Sequence, residues 1–158
     1  MKKKITIAID AMGGENAPTK NIEGIKIFLD KNKFKDDFII NLYGDENILK
    51  QKISELNIQN NNINIIHADS VVSDEETPLT AIKNSKNTSM WSSVKAQLDE
   101  NADITLSAGN TGVLFVISKM ILKMMDKVSR PALAGLWPSK KGMSVVLDLG
   151  ANIECDDK

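Results

Sequence analysis

The feature that most constrains the fold is a unit that repeats along the chain. It consists of a short apolar run rich in β-branched residues, a polar or glycine-containing turn, and a stretch whose apolar residues recur at helical spacing. Ile5-Thr6-Ile7-Ala8-Ile9 is nearly continuous in apolar character, as expected of a strand covered on both faces. It leaves through Asp10-Ala11-Met12-Gly13-Gly14-Glu15-Asn16-Ala17-Pro18. Pro18 suits a first helical residue, and Ile22, Ile25, Phe28 and Leu29 then share one face. The unit returns at Phe38-Ile39-Ile40-Asn41-Leu42-Tyr43, followed by Gly44-Asp45 and a helix with Leu49, Ile53 and Leu56 on one stripe. A polar, Asn-rich connector, 57–62, reads as a solvated loop ahead of a third strand, Ile63-Asn64-Ile65-Ile66-His67. After an acidic, irregular stretch from Val71 to Pro78, residues 79–98 read as a helix aligning Met90, Val94 and Leu98. Asp103-Ile104-Thr105-Leu106-Ser107 is the next strand. A helix with Val113, Ile117, Met120, Ile121 and Met124 on its stripe follows, then two further strands near 132–137 and 143–149.

Strands alternating with helices imply an α/β protein of three layers, α/β/α, built on a mostly parallel sheet. With 158 residues, 42% of them apolar, the chain suffices for one domain with a real core and not for two complete ones. No Pro/Gly/Ser linker divides it. Met1-Lys2-Lys3-Lys4 resembles the charged end of a signal peptide, but no apolar core region follows before Asp10, and no stretch approaches the roughly 20 apolar residues needed to span a bilayer. Cys155 is the only cysteine, which excludes an internal disulfide and favours a reducing, cytoplasmic setting. His67 is the only histidine, so a Cys/His metal site is excluded as well. Lys plus Arg number 20 against 21 for Asp plus Glu, and aromatic residues make up 4%; neither a basic surface nor a stacking platform for nucleic acid is indicated.

Ligands of open α/β sheets bind beyond the carboxyl ends of the strands. Three segments occupy such places: Asp10-Ala11-Met12-Gly13-Gly14, Ser107-Ala108-Gly109-Asn110-Thr111-Gly112, and Asp148-Leu149-Gly150-Ala151-Asn152. Glycine lets backbone approach a ligand closely, and amides at a helix start attract anions, so phosphate is the natural guest. Taken singly, each turn is also explained by structure alone, with glycine for a tight connection and Asp or Asn for capping. None matches a dinucleotide fingerprint or a nucleotide-binding P-loop. Cys155 lacks a nearby base, no GxSxG elbow exists, and His67 at a strand end reads as structural. Asp74-Glu75-Glu76 reads as a solvated loop. Lys119, Lys123 and Lys127, spaced i, i+4, i+8, read as the solvated face of a helix that could also meet an acidic partner.

The wording of the turns goes further. "AIDAMGGENAP", "SAGNTG", "RPALAG" and "VVLDLGANIEC", in this order and spacing, closely resemble the bacterial acyl-acyl carrier protein:phosphate acyltransferases, the PlsX family of fatty acid/phospholipid synthesis proteins. The stretch from Pro78 to Met90 resembles that family's basic, Ser-Ser-Met-terminated segment. The resemblance implies an isocitrate/isopropylmalate dehydrogenase-like fold, akin also to phosphotransacetylase. It implies a reaction in which inorganic phosphate attacks the thioester of a fatty acyl chain on acyl carrier protein, giving acyl phosphate for phospholipid synthesis, with no cofactor or metal. It further implies a homodimer in the cytoplasm, peripheral at the inner face of the membrane. Because phosphate is itself the nucleophile, no enzyme Ser or Cys is required, and positioning with oxyanion stabilisation suffices.

Carried over residue by residue, the resemblance implies Asp10, Asn110 and Asn152 as catalytic groups. It implies Gly13, Gly14, Lys83, Lys86, Ser89, Ser107, Gly109, Thr111 and Gly150 as the residues holding phosphate or substrate. Asp10 would orient donors, and Lys83 and Lys86 would serve phosphate or the acidic carrier protein. Glu15 and Glu154 stand where the family more usually has Asp, and Lys83 and Lys86 where Arg is common, which removes a bidentate fork. Family members continue beyond "GANIECDDK", so the chain is expected to be an incomplete amino-terminal part of a larger enzyme. Two other functions fit the same residues. One is a phosphotransacetylase-like or dehydrogenase-like enzyme. The other is a non-catalytic module that binds acyl carrier protein through Lys83, Lys86 or the 119/123/127 stripe.

Overall fold

The structure is a computed structural model that describes residues 4–31, 37–73, 77, 80, 83–128, 130–147 and 149. It contains two compact units, Met1–Leu122 and Lys123–Lys158. The first holds a four-stranded sheet of β1 (Ile5–Asp10), β2 (Phe38–Gly44), β3 (Ile63–His67) and β4 (Ile104–Ser107), in the order β3-β2-β1-β4. Every pairing is parallel, with Ile7 opposite Ile40 and Ile104, and Asp10 opposite Tyr43 and Ser107. The helices are α1 (Thr19–Lys31), α2 (Glu46–Glu55), α3 (Ser89–Leu98) and α4 (Thr111–Leu122). With helices on both faces, the three-layer α/β/α reading holds.

Each strand carries two kinds of side chain because successive residues point to opposite faces. Ile40 and Leu42 meet Ile22, Ile25, Leu29 and Leu49 of α1 and α2 on one face, with Ile63 and Ile65 packed against them. Ala8 and Tyr43 on the other face join Ala96 of α3 and Ala102. Met90 and Val94 of α3 meet Val113, Ile117 and Ile121 of α4. The helix starts are fixed by side chains, as orphan amides require. Asp45 Oδ1 accepts from the amides of Asn47 and Ile48 at 2.9 Å, and Thr88 Oγ1 accepts from the Trp91 amide at 3.1 Å. Pro18 stands just before α1, where its carbonyl accepts from the Ile22 amide at 3.0 Å.

Two helical expectations need correction. Residues 79–98 do not form one helix: helical turns at 80, 83 and 84 give way at Ser85, Asn87 takes φ 70°, and Thr88 caps a fresh start. Asn-Thr-Ser is capping chemistry, and it overrides the apolar spacing around it. The lysine stripe is broken too. Lys119 lies in α4, but Lys123 adopts φ 62° just beyond its end and Lys127 adopts φ 63°, so the three lysines do not share a helix face.

In the second unit, β5 (Ala134–Ser139) and β6 (Gly142–Leu147) pair antiparallel, so these strands form a hairpin and not a continuation of the parallel pattern. Lys140-Lys141 makes the connection, Gly142 has φ 127°, and Ser139 Oγ donates to the Gly142 carbonyl at 2.9 Å. Asp74, Glu75, Glu76, Asp148, Gly150, Asn152, Glu154 and Cys155 lie outside the described residues.

Candidate active site at the strand carboxyl ends

Strands β1 and β4 are adjacent and in register at their ends, which sets Asp10 beside Ser107. Asp10 is 1% exposed. Its Oδ2 accepts a hydrogen bond from Ser107 Oγ at 2.7 Å, and Ser107 Oγ accepts in turn from the Gly109 amide at 3.1 Å. Carboxylate, hydroxyl and amide thus form a relay that fixes the turn after β4. Asp10 Oδ1 is buried with no partner among the described residues, as are Ser85 Oγ and Ser89 Oγ.

The glycines are explained by what stands where their side chains would be. A Cβ on Gly13 would lie 2.3 Å from Asp10 Oδ2 and 3.1 Å from the Gly109 nitrogen. Gly14, at φ +98°, would place one 2.6 Å from the Ala108 carbonyl oxygen, and one on Gly109 would lie 2.8 Å from Met90 Cε. The turn after β1 and the turn after β4 therefore pack backbone against backbone, a closeness only glycine permits. Asn21 completes the arrangement, its Nδ2 donating to the carbonyls of Ala11 and Gly13, both at 2.9 Å. Reasoning from sequence missed Asn21. Its signal is faint: a polar residue in the first turn of α1, whose side chain reaches back to the turn it came from.

Asn110 caps α4. Its Oδ1 accepts from the Val113 amide at 3.1 Å and its carbonyl from the Leu114 amide at 2.9 Å. Thr111 is exposed as the first residue of that helix. Because α3 links β3 to the parallel strand β4, it too begins at the carboxyl end of the sheet. Ser89, its first residue, is fully buried, and its amide donates to the Ser70 carbonyl at 2.9 Å. Lys83 and Lys86 are exposed on the segment entering α3. The structure thus brings together Asp10, Gly13, Gly14, Ser107 and Gly109, with Asn110 and Thr111 next in the chain and Met90, beside Ser89, against Gly109. Lys83 and Lys86 enter the same end without a described bond to the cluster.

Tyr43, the β2 residue opposite Asp10, has its hydroxyl pKa raised, first by burial and then by the negative charge of Asp99. His67 is exposed at the end of β3. Its Nδ1 accepts from the Glu46 amide at 3.4 Å and its Nε2 lies 3.3 Å from Asp69 Oδ1, contacts that tie a strand end to a helix start. Among the described residues no group of three or more His, Cys, Asp or Glu side chains converges, and no helix is long and apolar enough to cross a membrane.

A parallel α/β unit whose polar groups gather in glycine turns beyond the carboxyl ends of its strands defines a broad class, and the comparisons narrow it. The sequence matches the family of fatty acid synthesis proteins over residues 5–158, and the chain belongs to that family. A phosphate acyltransferase of Pelagibacter ubique is 46% identical over 158 residues, which is 100% of this chain and 46% of that protein. The phosphate acyltransferase of Parvibaculum lavamentivorans is 40% identical over 157 residues, 99% of this chain and 43% of the relative. That of Magnetococcus marinus is 35% identical over 154 residues, 98% and 43% of the two chains. The chain spans less than half the length of these curated relatives.

Proposed function

We propose that this chain supplies the phosphate-binding wall of a phosphate acyltransferase acting on fatty acyl-acyl carrier protein. The observation that carries the proposal is the relay from Asp10 through Ser107 to the Gly109 amide, set beside the starts of α3 and α4. A buried carboxylate that holds a hydroxyl and, through it, a backbone turn is a device for positioning. Positioning is what a reaction with a ready-made nucleophile needs most. In that reaction a phosphate oxygen forms a bond to the thioester carbonyl carbon, the carbon–sulfur bond breaks, and the carrier thiol leaves with the proton phosphate gives up. Asp10 is a positioning residue, Asn110 and Thr111 present the α4 amides to an anion, and Lys83 and Lys86 contribute charge to phosphate or to the acidic carrier. Gly150 and Asn152 belong to the same proposal on family resemblance alone. So do a homodimer and attachment to the inner membrane surface.

The test joins this chain to the part of the Pelagibacter relative that it does not match and measures acyl phosphate formed from palmitoyl-acyl carrier protein and phosphate. Activity is expected in the joined protein. It should fall by at least about tenfold in Ser107→Ala with the circular dichroism spectrum unchanged, the loss of one positioning hydrogen bond at a reacting centre. A folded joined protein that binds the carrier but forms no acyl phosphate would overturn the proposal.

A further inference from the structure

The turn that leaves β1 is held by one side chain of α1. Asn21 stands in the first turn of that helix, and its Nδ2 donates to the carbonyls of Ala11 and Gly13, both at 2.9 Å. A side-chain amide has two N–H donors, and these bonds use both. They fix more than two oxygens. The peptide units 11–12 and 13–14 are trans, and in a planar trans unit the N–H points opposite to the C=O. With the carbonyls of Ala11 and Gly13 turned to Asn21, the amides of Met12 and Gly14 point away from it.

Burial follows the same alternation. Ala11 and Gly13 are buried, whereas Met12 and Gly14 are half-buried. Two other amides of the connection have acceptors: that of Ala11 donates to the Tyr43 carbonyl at 3.0 Å, and that of Ala17 to the Gly14 carbonyl at 3.2 Å. Among the described residues the Met12 and Gly14 amides donate to no partner. Gly14, at φ +98°, has no side chain to cover its own amide. Backbone N–H groups set on one side of a turn make a seat for anionic oxygen. This seat adjoins the relay, since a Cβ on Gly13, between the two amides, would lie 3.1 Å from the Gly109 nitrogen.

We infer that Asn21 is a positioning residue for phosphate: by holding two carbonyls it aims the amides of Met12 and Gly14 at phosphate oxygens. The inference rests on the phosphate acyltransferase reading above and adds to it a residue that does not itself touch the substrate. Phosphate arrives with its charge and suits two unpaired amides, whereas the thioester oxygen is neutral until phosphate attacks. Asn21→Asp is the sharpest variant. It keeps the shape of the side chain but sets an acceptor oxygen against two carbonyl oxygens, so both bonds are lost and the turn is pushed away. Asn21→Ala removes the bonds and leaves the carbonyls to water.

The test uses this chain joined to the unmatched part of the Pelagibacter relative. Inorganic phosphate is added while nuclear magnetic resonance follows the backbone amide signals of Met12 and Gly14, and kcat and KM for phosphate are measured on the same protein. Both signals should shift and saturate with phosphate. Asn21→Asp should weaken phosphate binding, and raise KM for phosphate, by about tenfold, with kcat per folded molecule within about twofold of the parent and Asn21→Ala between the two. Lys26→Ala, which removes a bond from α1 to the Leu56 carbonyl, should leave both readouts unchanged, and this separates aiming the turn from merely bracing the helix. Three results would overturn the inference: signals of Met12 and Gly14 that ignore phosphate, equal phosphate affinity in the parent and Asn21→Asp, or a fall in kcat with KM for phosphate unchanged. Phosphate binding that depends on Asn21 in a protein that forms no acyl phosphate would uphold this inference and refute the reaction proposed above.

Discussion

The two edges of the parallel sheet differ although their sequences look alike. At the β3 edge, Ile63 and Ile65 pack against the cluster beneath α2, and the strand end is tied off by His67 receiving the Glu46 amide. At the β4 edge, Ile104 and Leu106 point to the same side of the sheet and stand about half exposed. Yet β4 ends in Ser107 and leads into the turn that holds Gly109 and Asn110. Both β3 and β4 are terminal strands of the sheet, and they differ in cover: the β3 face is closed by the helix cluster, while the β4 face is open among the described residues. The open edge carries the proposed reaction site at its carboxyl end beside an apolar face that is about half exposed among the described residues.

The largest expected difference between the edges is in the weight of their apolar side chains. Leu42→Ala, at a fully buried position of the covered face, should lower unfolding free energy by about 2–5 kcal/mol, and Leu106→Ala by less than about 1 kcal/mol, in urea titrations of this chain. Equal losses would show that the β4 face is already packed. Next comes the contact between turns. Gly14→Ala should cost about 2–4 kcal/mol, because φ +98° is strained for alanine and its Cβ would meet a backbone oxygen at 2.6 Å. A neutral outcome there would mean that the β1 and β4 turns are not held together.

Asn110→Ala should cost about 1 kcal/mol through loss of the α4 cap, with Asn110→Asp restoring most of it. Full stability in the alanine variant would deny that Asn110 anchors the open edge. Smaller still is the effect of Tyr43, between the two edges. Its hydroxyl pKa is raised from 10.0 in the folded protein, so the neutral form is favoured there; this contribution is complete below pH 10 and is lost as pH rises through the folded value. Tyr43→Phe should therefore lose less stability than the parent between pH 9 and pH 11, and an identical loss would contradict the burial of that hydroxyl. His67→Ala, exposed on the closed edge, should change stability by no more than about 0.5 kcal/mol.

Much of the fold was legible because period-2 and period-3.6 patterns record which faces are buried. The runs at 5–9, 38–43 and 63–67 and the stripes of α1 and α2 coincide with the observed elements. The hairpin was not anticipated, since apolar runs alone do not say whether strands run parallel. Lys140-Lys141-Gly142 was the available turn signal. The break at 85–88 and the end of α4 at Leu122 were hidden for a different reason: local capping and a left-handed residue, Lys123, overrode a favourable apolar spacing. At the site, adjacency of strands β1 and β4 joins Asp10 to Ser107, and no linear pattern carries that. Of the two roles the glycine turns allow, room for a ligand and room for a tight connection, the structure displays the second in the packing of one turn against another, and Asn21 is legible only once that packing is known.

The most direct measurement is acyl phosphate formation by this chain joined to the unmatched part of the Pelagibacter relative, compared with Ser107→Ala and Asp10→Asn in the same protein. The account predicts phosphate-dependent product in the parent and at least about a tenfold fall in both variants, with the fold and carrier binding retained. Undiminished turnover in both variants would contradict it, because the Asp10–Ser107–Gly109 relay would then have no part in the chemistry.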